Sequence, residues 1–130
     1  MLVDDNDIVN FISRKTIEDC SFSDRVIDFT SGTKALQFLD ANAGNPGALP
    51  DLILLDVKMQ RMNGFEFLEK FEKLPPEARG QAKIVMLTSS LLEDDRQRAL
   101  QCRYVVEFLN KPITRHKLMD ISDRFLQARS

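Results

Sequence analysis

Carboxylates that can hold a cation or act as nucleophile, a hydroxyl that can bind an anion, and an ammonium that can neutralise it all stand at the ends of apolar runs in this sequence. Asp56 closes the run Leu52-Ile53-Leu54-Leu55 within Asp51–Gly64, DLILLDVKMQRMNG. Asp4 and Asp5 close the short apolar opening of the chain, and Asn6 can cap the helix that follows, leaving both acids free. Thr88, with Ser89 and Ser90 behind it, ends KIVMLT, and Lys111 follows YVVEFL and Asn110. Taken singly, Asp4 or Asp5 reads as a helix cap, Asp56 as a turn residue and Lys111 as a solvated cation. Taken together they describe phosphoryl transfer, which depends on positioning and on neutralising charge spread over the phosphoryl oxygens.

The elements that would bring these groups together are legible in the hydrophobic pattern. Met1–Asp4, Arg25–Phe29, Leu52–Leu55, Lys83–Thr88 and Tyr104–Leu109 read as strands. Between them lie helical patterns. The first places Ile8, Val9, Ile12, Thr16, Ile17 and Cys20 inward, with Arg14, Lys15, Glu18 and Asp19 facing water. A second is carried by Ala35, Leu36, Phe38 and Leu39, and a third runs from about Gly64 to Lys73 until Pro75 and Pro76 end it. The fourth, Leu92–Gln101, has only Leu92, Ala99 and Leu100 as core candidates and is therefore weakly anchored; the last starts at Thr114 and buries Leu118, Ile121, Phe125 and Leu126. Ala41–Pro50 is an exposed loop.

Strands alternating with helices predict an α/β fold, a doubly wound five-stranded parallel sheet of flavodoxin-like order 2-1-3-4-5 with helices on both faces. Parallel strands put the residues after strands 1, 3, 4 and 5 on one edge. Three carboxylates there repel one another and push a pKa upward unless a cation joins them. All-oxygen donors with no His or Cys nearby favour a hard ion such as Mg²⁺. Asp56 is then the phosphoacceptor, since a carboxylate nucleophile yields an aspartyl-phosphate. Asp4, Asp5 and Asp56 hold the metal, Thr88 binds the phosphoryl group and Lys111 pairs with it.

Composition narrows the remaining choices. The 130 residues, 43% of them hydrophobic, fit a single domain over 1–130. A formal charge of −2 with interspersed signs offers no basic field for direct nucleic-acid contact. Cys20 and Cys102 match no metal spacing and read as reduced packing residues. No apolar stretch reaches the roughly 20 residues of a membrane span, and no signal peptide is visible, so the expectation is a soluble cytoplasmic protein without membrane contact.

The four segments LVDDN, LILLDVKMQRMNG, MLTSS and FLNKP, in this order, resemble the receiver domain of two-component response regulators, the CheY-like family, over essentially the whole chain. The resemblance implies a signalling switch that catalyses only its own phosphorylation and dephosphorylation, fed by a sensor histidine kinase, a histidine phosphotransfer protein or a small acyl phosphate. It implies a cis bond before Pro112, and a switch in which Phe108 moves with Thr88 to alter the face of helix 4, strand 5 and helix 5 for a downstream protein partner, with homodimer formation on phosphorylation as one outcome. Lys58 and Ser90 match positions that tune phosphoryl lifetime in the family. Two residues depart from the family pattern. A proline usual four residues after the acid is Gln60, which predicts a less rigid or differently shaped loop, and a glycine common before the fifth strand is Tyr104. The alternative is a pseudo-receiver scaffold without phosphoryl chemistry. Enzymes on the same fold fit less well: a flavodoxin needs a hydroxyl- and glycine-rich loop where this chain has DDND, and a haloacid-type phosphohydrolase needs an Asp at the position of Lys58.

Overall fold

The structure is a computed structural model describing residues 1–23, 25–89 and 92–126. Five strands, β1 (Leu2–Val3), β2 (Asp28–Phe29), β3 (Leu52–Asp56), β4 (Lys83–Thr88) and β5 (Val105–Asn110), form one parallel sheet in the order β2-β1-β3-β4-β5. The helices are α1 (Asp7–Asp19), α2 (Gly32–Ala41), α3 (Gly64–Glu72), the single turn α4 (Pro76–Arg79), α5 (Glu93–Leu100) and α6 (Arg115–Ile121), which runs on into a π-helical turn, Ser122–Leu126. The expected doubly wound sheet is present. The short α4 was not anticipated: Pro76 ends the pattern before it, yet a fixed φ also suits the first position of a new helix. The fourth and fifth expected helices are therefore α5 and α6.

Side chains alternate across each strand and feed two cores. Ile53 and Leu55 of β3 and Ile84 and Met86 of β4 join Leu39, Phe67, Phe71, Ala99 and Phe108 on the side covered by α2, α3 and α5. Leu52, Leu54, Val85 and Leu87 point the other way, to Ile17, Leu118 and Ile121 of α1 and α6. Burial on both faces is why β3 and β4 read as unbroken apolar runs.

Two helices present different faces from those the pattern suggested. On α1 the buried residues are Asn10, Ser13 and Ile17, whereas Ile8, Phe11 and Ile12 are 69%, 66% and 51% exposed. Polar bonding decides the rotation. Asn10 Nδ2 donates to the backbone oxygen of Asp4 at 2.9 Å and of Phe29 at 3.4 Å, satisfying carbonyls at the ends of β1 and β2. On α5 only Ala99 is buried, and Leu92 and Leu100 are exposed. Arg96 and Arg98 anchor that helix instead. Arg96 Nη1 reaches Phe108 O at 3.4 Å, and the Arg98 guanidinium lies 4.1 Å from the Phe65 ring centre. At the chain's end Phe125 and Leu126, half-buried, pack against the second core as expected, but from the π turn rather than from a continuous α-helix.

The junction from β3 to α3 fixes the approach to Asp56. Asn63 caps α3 reciprocally with Glu66, and Gly64 N–H donates to Val57 O at 2.8 Å. A Cβ on Gly64 would lie 2.7 Å from Asp56 O, 2.8 Å from Met86 Cε and 3.0 Å from Val57 Cα, so only glycine lets the helix start this close to the strand. Gly64→Ala is expected to lower unfolding stability by about 1–3 kcal/mol through overpacking, read from urea denaturation. An unchanged midpoint would mean the junction has room for a methyl group.

Candidate functional site

Asp56 is the last residue of β3 and lies opposite Leu87 of β4, with Val57 N–H bonded to Leu87 O at 2.9 Å. Thr88 pairs in register with Asn110, and Lys111 N–H donates to Thr88 O at 2.8 Å. The parallel register thus carries Asp4, Asp56, Thr88 and Lys111 to one edge of the sheet. Asp4, Asp56 and Thr88 are buried, while Asp5 is exposed at the rim.

The ammonium of Lys111 stands between two of the acids, 2.7 Å from Asp4 Oδ2 and 3.0 Å from Asp56 Oδ1. The other oxygen of Asp4 accepts the N–H of Asn6 at 2.9 Å. Asn6 Oδ1 in turn caps α1 by accepting from Ile8 and Val9 at 2.9 and 3.2 Å, so the capping role falls to Asn6 and both acids are spared it. Lys111 is carried on a turn whose bond to Pro112 is cis. Lys117 of α6 braces that turn, donating to Asn110 O at 2.7 Å and Pro112 O at 3.0 Å.

One oxygen from each of Asp4, Asp5 and Asp56 lies within 4.8 Å of the others. Three hard oxygen donors at that separation, without His or Cys among them, suit a small divalent cation such as Mg²⁺, which keeps several waters and takes one or two carboxylates.

Burial pushes the Asp56 carboxyl above its ordinary 3.8, against the hydrogen bond from Lys111, and the Asp4 charge adds to the rise. Lys111 is also held above its ordinary 10.5. Burial alone would lower it, but the bonds and charges of Asp4 and Asp56 outweigh that. The folded protein binds the Asp56 proton more tightly than the unfolded chain does. That contribution to stability is full below pH 3.8 and is lost as pH rises through the folded value. The Lys111 contribution is full below pH 10.5 and is lost as pH rises through its own raised value.

Other residues singled out in the sequence fall around this centre. Phe108 is fully buried beside the tip of β5 and is paired with Met86 across the sheet. Lys58 is exposed, and its backbone amide exerts a lowering influence on the Asp56 carboxyl, the smallest of those acting on it. Ser90 lies outside the described residues. At Gln60, where the family usually has proline, the backbone N–H donates to Asp5 Oδ2 at 2.9 Å. Sequence reasoning missed Asn10, Lys117 and this Gln60 bond. The first two act through backbone carbonyls and the third through a backbone amide, so side-chain type carries little sign of any of them.

The sequence model for the response regulator receiver domain matches residues 1–123. The chain belongs to that family, a family of two-component signalling domains rather than of enzymes acting on separate substrates, whose members typically bind Mg²⁺ at an acidic pocket. It is similar to the probable methanogenesis regulatory protein FilR2 of Methanothrix harundinacea, 29% identical over 88% of this chain and 72% of that protein. It is also similar to the cyclic di-GMP phosphodiesterase response regulator RpfG of Xanthomonas campestris, 33% identical over 99% of this chain but only 32% of that protein. Among solved structures, a two-component response regulator from Cytophaga hutchinsonii superposes with a TM-score of 0.86 at 28% identity, covering 95% of this chain and 92% of that one. No helix among the described residues is long and apolar enough to cross a membrane.

In metal-free buffer, carboxyl ¹³C NMR should find Asp56 titrating above 3.8, and higher still in Lys111→Met, where the lowering influence of the ammonium is gone. A titration that falls or stays put in the variant would mean that Lys111 does not govern this carboxylate.

Proposed function

We propose that the chain is a single receiver unit over residues 1–130 that accepts a phosphoryl group on Asp56, acting in the cytoplasm of a two-component phosphorelay. The observation carrying this reading is the placement of one ammonium 2.7 Å from Asp4 and 3.0 Å from Asp56, inside a cluster of three acids. Asp4, Asp5 and Asp56 would hold Mg²⁺, which when bound supplies positive charge to the acids and to the phosphoryl oxygens. An oxygen of Asp56 attacks phosphorus as the P–N bond to the donor imidazole breaks; the electron pair leaves with the ring nitrogen. Lys111 follows the charge from the carboxylate to the phosphoryl group, and the Thr88 hydroxyl donates to a phosphoryl oxygen. Lys58, beside the acid, tunes how long the modification lasts, and Ser90 is assigned the same role from its position in the sequence.

The switch is Thr88 with Phe108. A new charge near −2 draws Thr88 toward Asp56 and frees space that Phe108 fills, biasing a two-state equilibrium. Bonds around Phe108 support a route outward. Its N–H donates to Glu107 Oε1 at 3.1 Å and its carbonyl accepts from Arg96 Nη1 of α5 at 3.4 Å, while Glu107 also pairs with Arg124 at 2.9 Å. A change at Phe108 therefore reaches the face of α5, β5 and α6, where exposed Leu92, Leu100 and Met119 offer contacts to a downstream protein or to a second copy.

The donor is a phosphohistidine on a sensor kinase or phosphotransfer protein. Exposed Ile8, Phe11 and Ile12 form an apolar patch on α1, immediately after the acids, which suits a protein donor rather than only a small molecule. Incubation with Mg²⁺ and acetyl phosphate should add the mass of one phosphoryl group to the wild type and none to Asp56→Asn. No addition to the wild type would favour a scaffold without phosphoryl chemistry. Phe11→Ala should slow transfer from a phosphohistidine protein severalfold while leaving modification by acetyl phosphate unchanged; equal slowing of both would count against the patch as a docking surface.

A further inference from the structure

Asp5 differs from its two partners in what holds it. Asp4 and Asp56 share Lys111, whereas the hydrogen bond recorded for the Asp5 carboxylate among the described residues comes from the main chain, Gln60 N–H to Oδ2 at 2.9 Å. The bond joins the loop after β1 to the loop between β3 and α3, across 55 residues of sequence. The second loop is itself shaped for it. Arg61 takes the left-handed conformation with φ 67°, and Met62 N–H folds back on Gln60 O at 2.7 Å. A charge-assisted bond from a backbone amide is short and directional, and a carboxylate held by one oxygen keeps the other available to an ion.

We propose that the Gln60 amide is a positioning donor for the cation site: it orients Asp5 before an ion arrives and thereby raises Mg²⁺ affinity, linking that affinity to the shape of the β3–α3 loop. This rests on the reading of Asp4, Asp5 and Asp56 as metal ligands. Outer hydrogen bonds of this kind matter because an unrestrained carboxylate next to two others turns away from them, and binding must then reverse that rotation. The side chain of Gln60 has no part in the bond. A proline at this position would have no N–H to give, whereas alanine keeps it.

Isothermal titration calorimetry with MgCl₂ on the full chain tests this. Gln60→Pro should bind Mg²⁺ about tenfold more weakly than wild type, the lower end of what loss of an outer hydrogen bond to a metal ligand costs. Gln60→Ala should restore wild-type affinity. An affinity in Gln60→Pro equal to or tighter than wild type would overturn the inference while leaving the metal reading intact. A wild type that takes up no Mg²⁺ would overturn the metal reading and the inference with it. If circular dichroism shows Gln60→Pro to be unfolded, amide hydrogen exchange decides: the Gln60 N–H should exchange more slowly in wild type than in Asp5→Ala, and equal rates would refute the bond on which the proposal stands.

Discussion

A single ammonium bridging two buried carboxylates is the constraint to which the rest of this structure answers. Lys111 could not serve Asp4 and Asp56 together unless β1, β3 and β5 ended at the same level, and the parallel register ensures that they do. Buried charges without partners are costly, so each neighbour of the bridge is also held. Asn10 fixes the backbone at Asp4, Gly64 lets α3 begin against Asp56, and Lys117 braces the turn that carries Lys111. The adjoining strand tip is tied in as well, since Lys111 N–H bonds to Thr88 O.

The charge balance at this rim explains why it is suited to an incoming cation and anion. Among the described residues, one ammonium serves Asp4 and Asp56 while Asp5 completes the acidic cluster, an arrangement short of positive charge, and burial raises the Asp56 pKa. A divalent ion relieves the excess, and a phosphoryl group then finds positive charge on two sides. Neither partner has to be drawn deep into the protein, because Asp5 lies exposed at the edge.

Strand ends were the most legible part of the chain. Unbroken apolar runs such as Leu52–Leu55 leave little choice of element, and an acid or lysine directly after one has to emerge at the sheet's edge. Helix faces were harder to read. Apolar residues ring most of α1, at Ile8, Val9, Phe11, Ile12 and Ile17, so hydrophobicity does not choose its rotation; Asn10 does, by pairing with carbonyls supplied by two different strands. On α5 the expected leucines lost to cationic anchors, because Arg96 finds Glu107 and Phe108 O while Arg98 covers Phe65. The Gln60 bond was illegible for another reason: its donor is main chain, common to every residue except proline, and only the fold shows which acid it meets.

On this reading a phosphoryl group is accepted by Asp56 and then held by Lys111 and Thr88. A crystal structure of the protein with Mg²⁺ and beryllium trifluoride, a tetrahedral phosphoryl mimic, tests it most directly. Beryllium should be bonded to an Asp56 oxygen, with Lys111 Nζ and the Thr88 hydroxyl on its fluorines and the metal beside Asp4 and Asp5. Beryllium absent from Asp56 at saturating fluoride, with Lys111 still bridging Asp4 and Asp56, would contradict it.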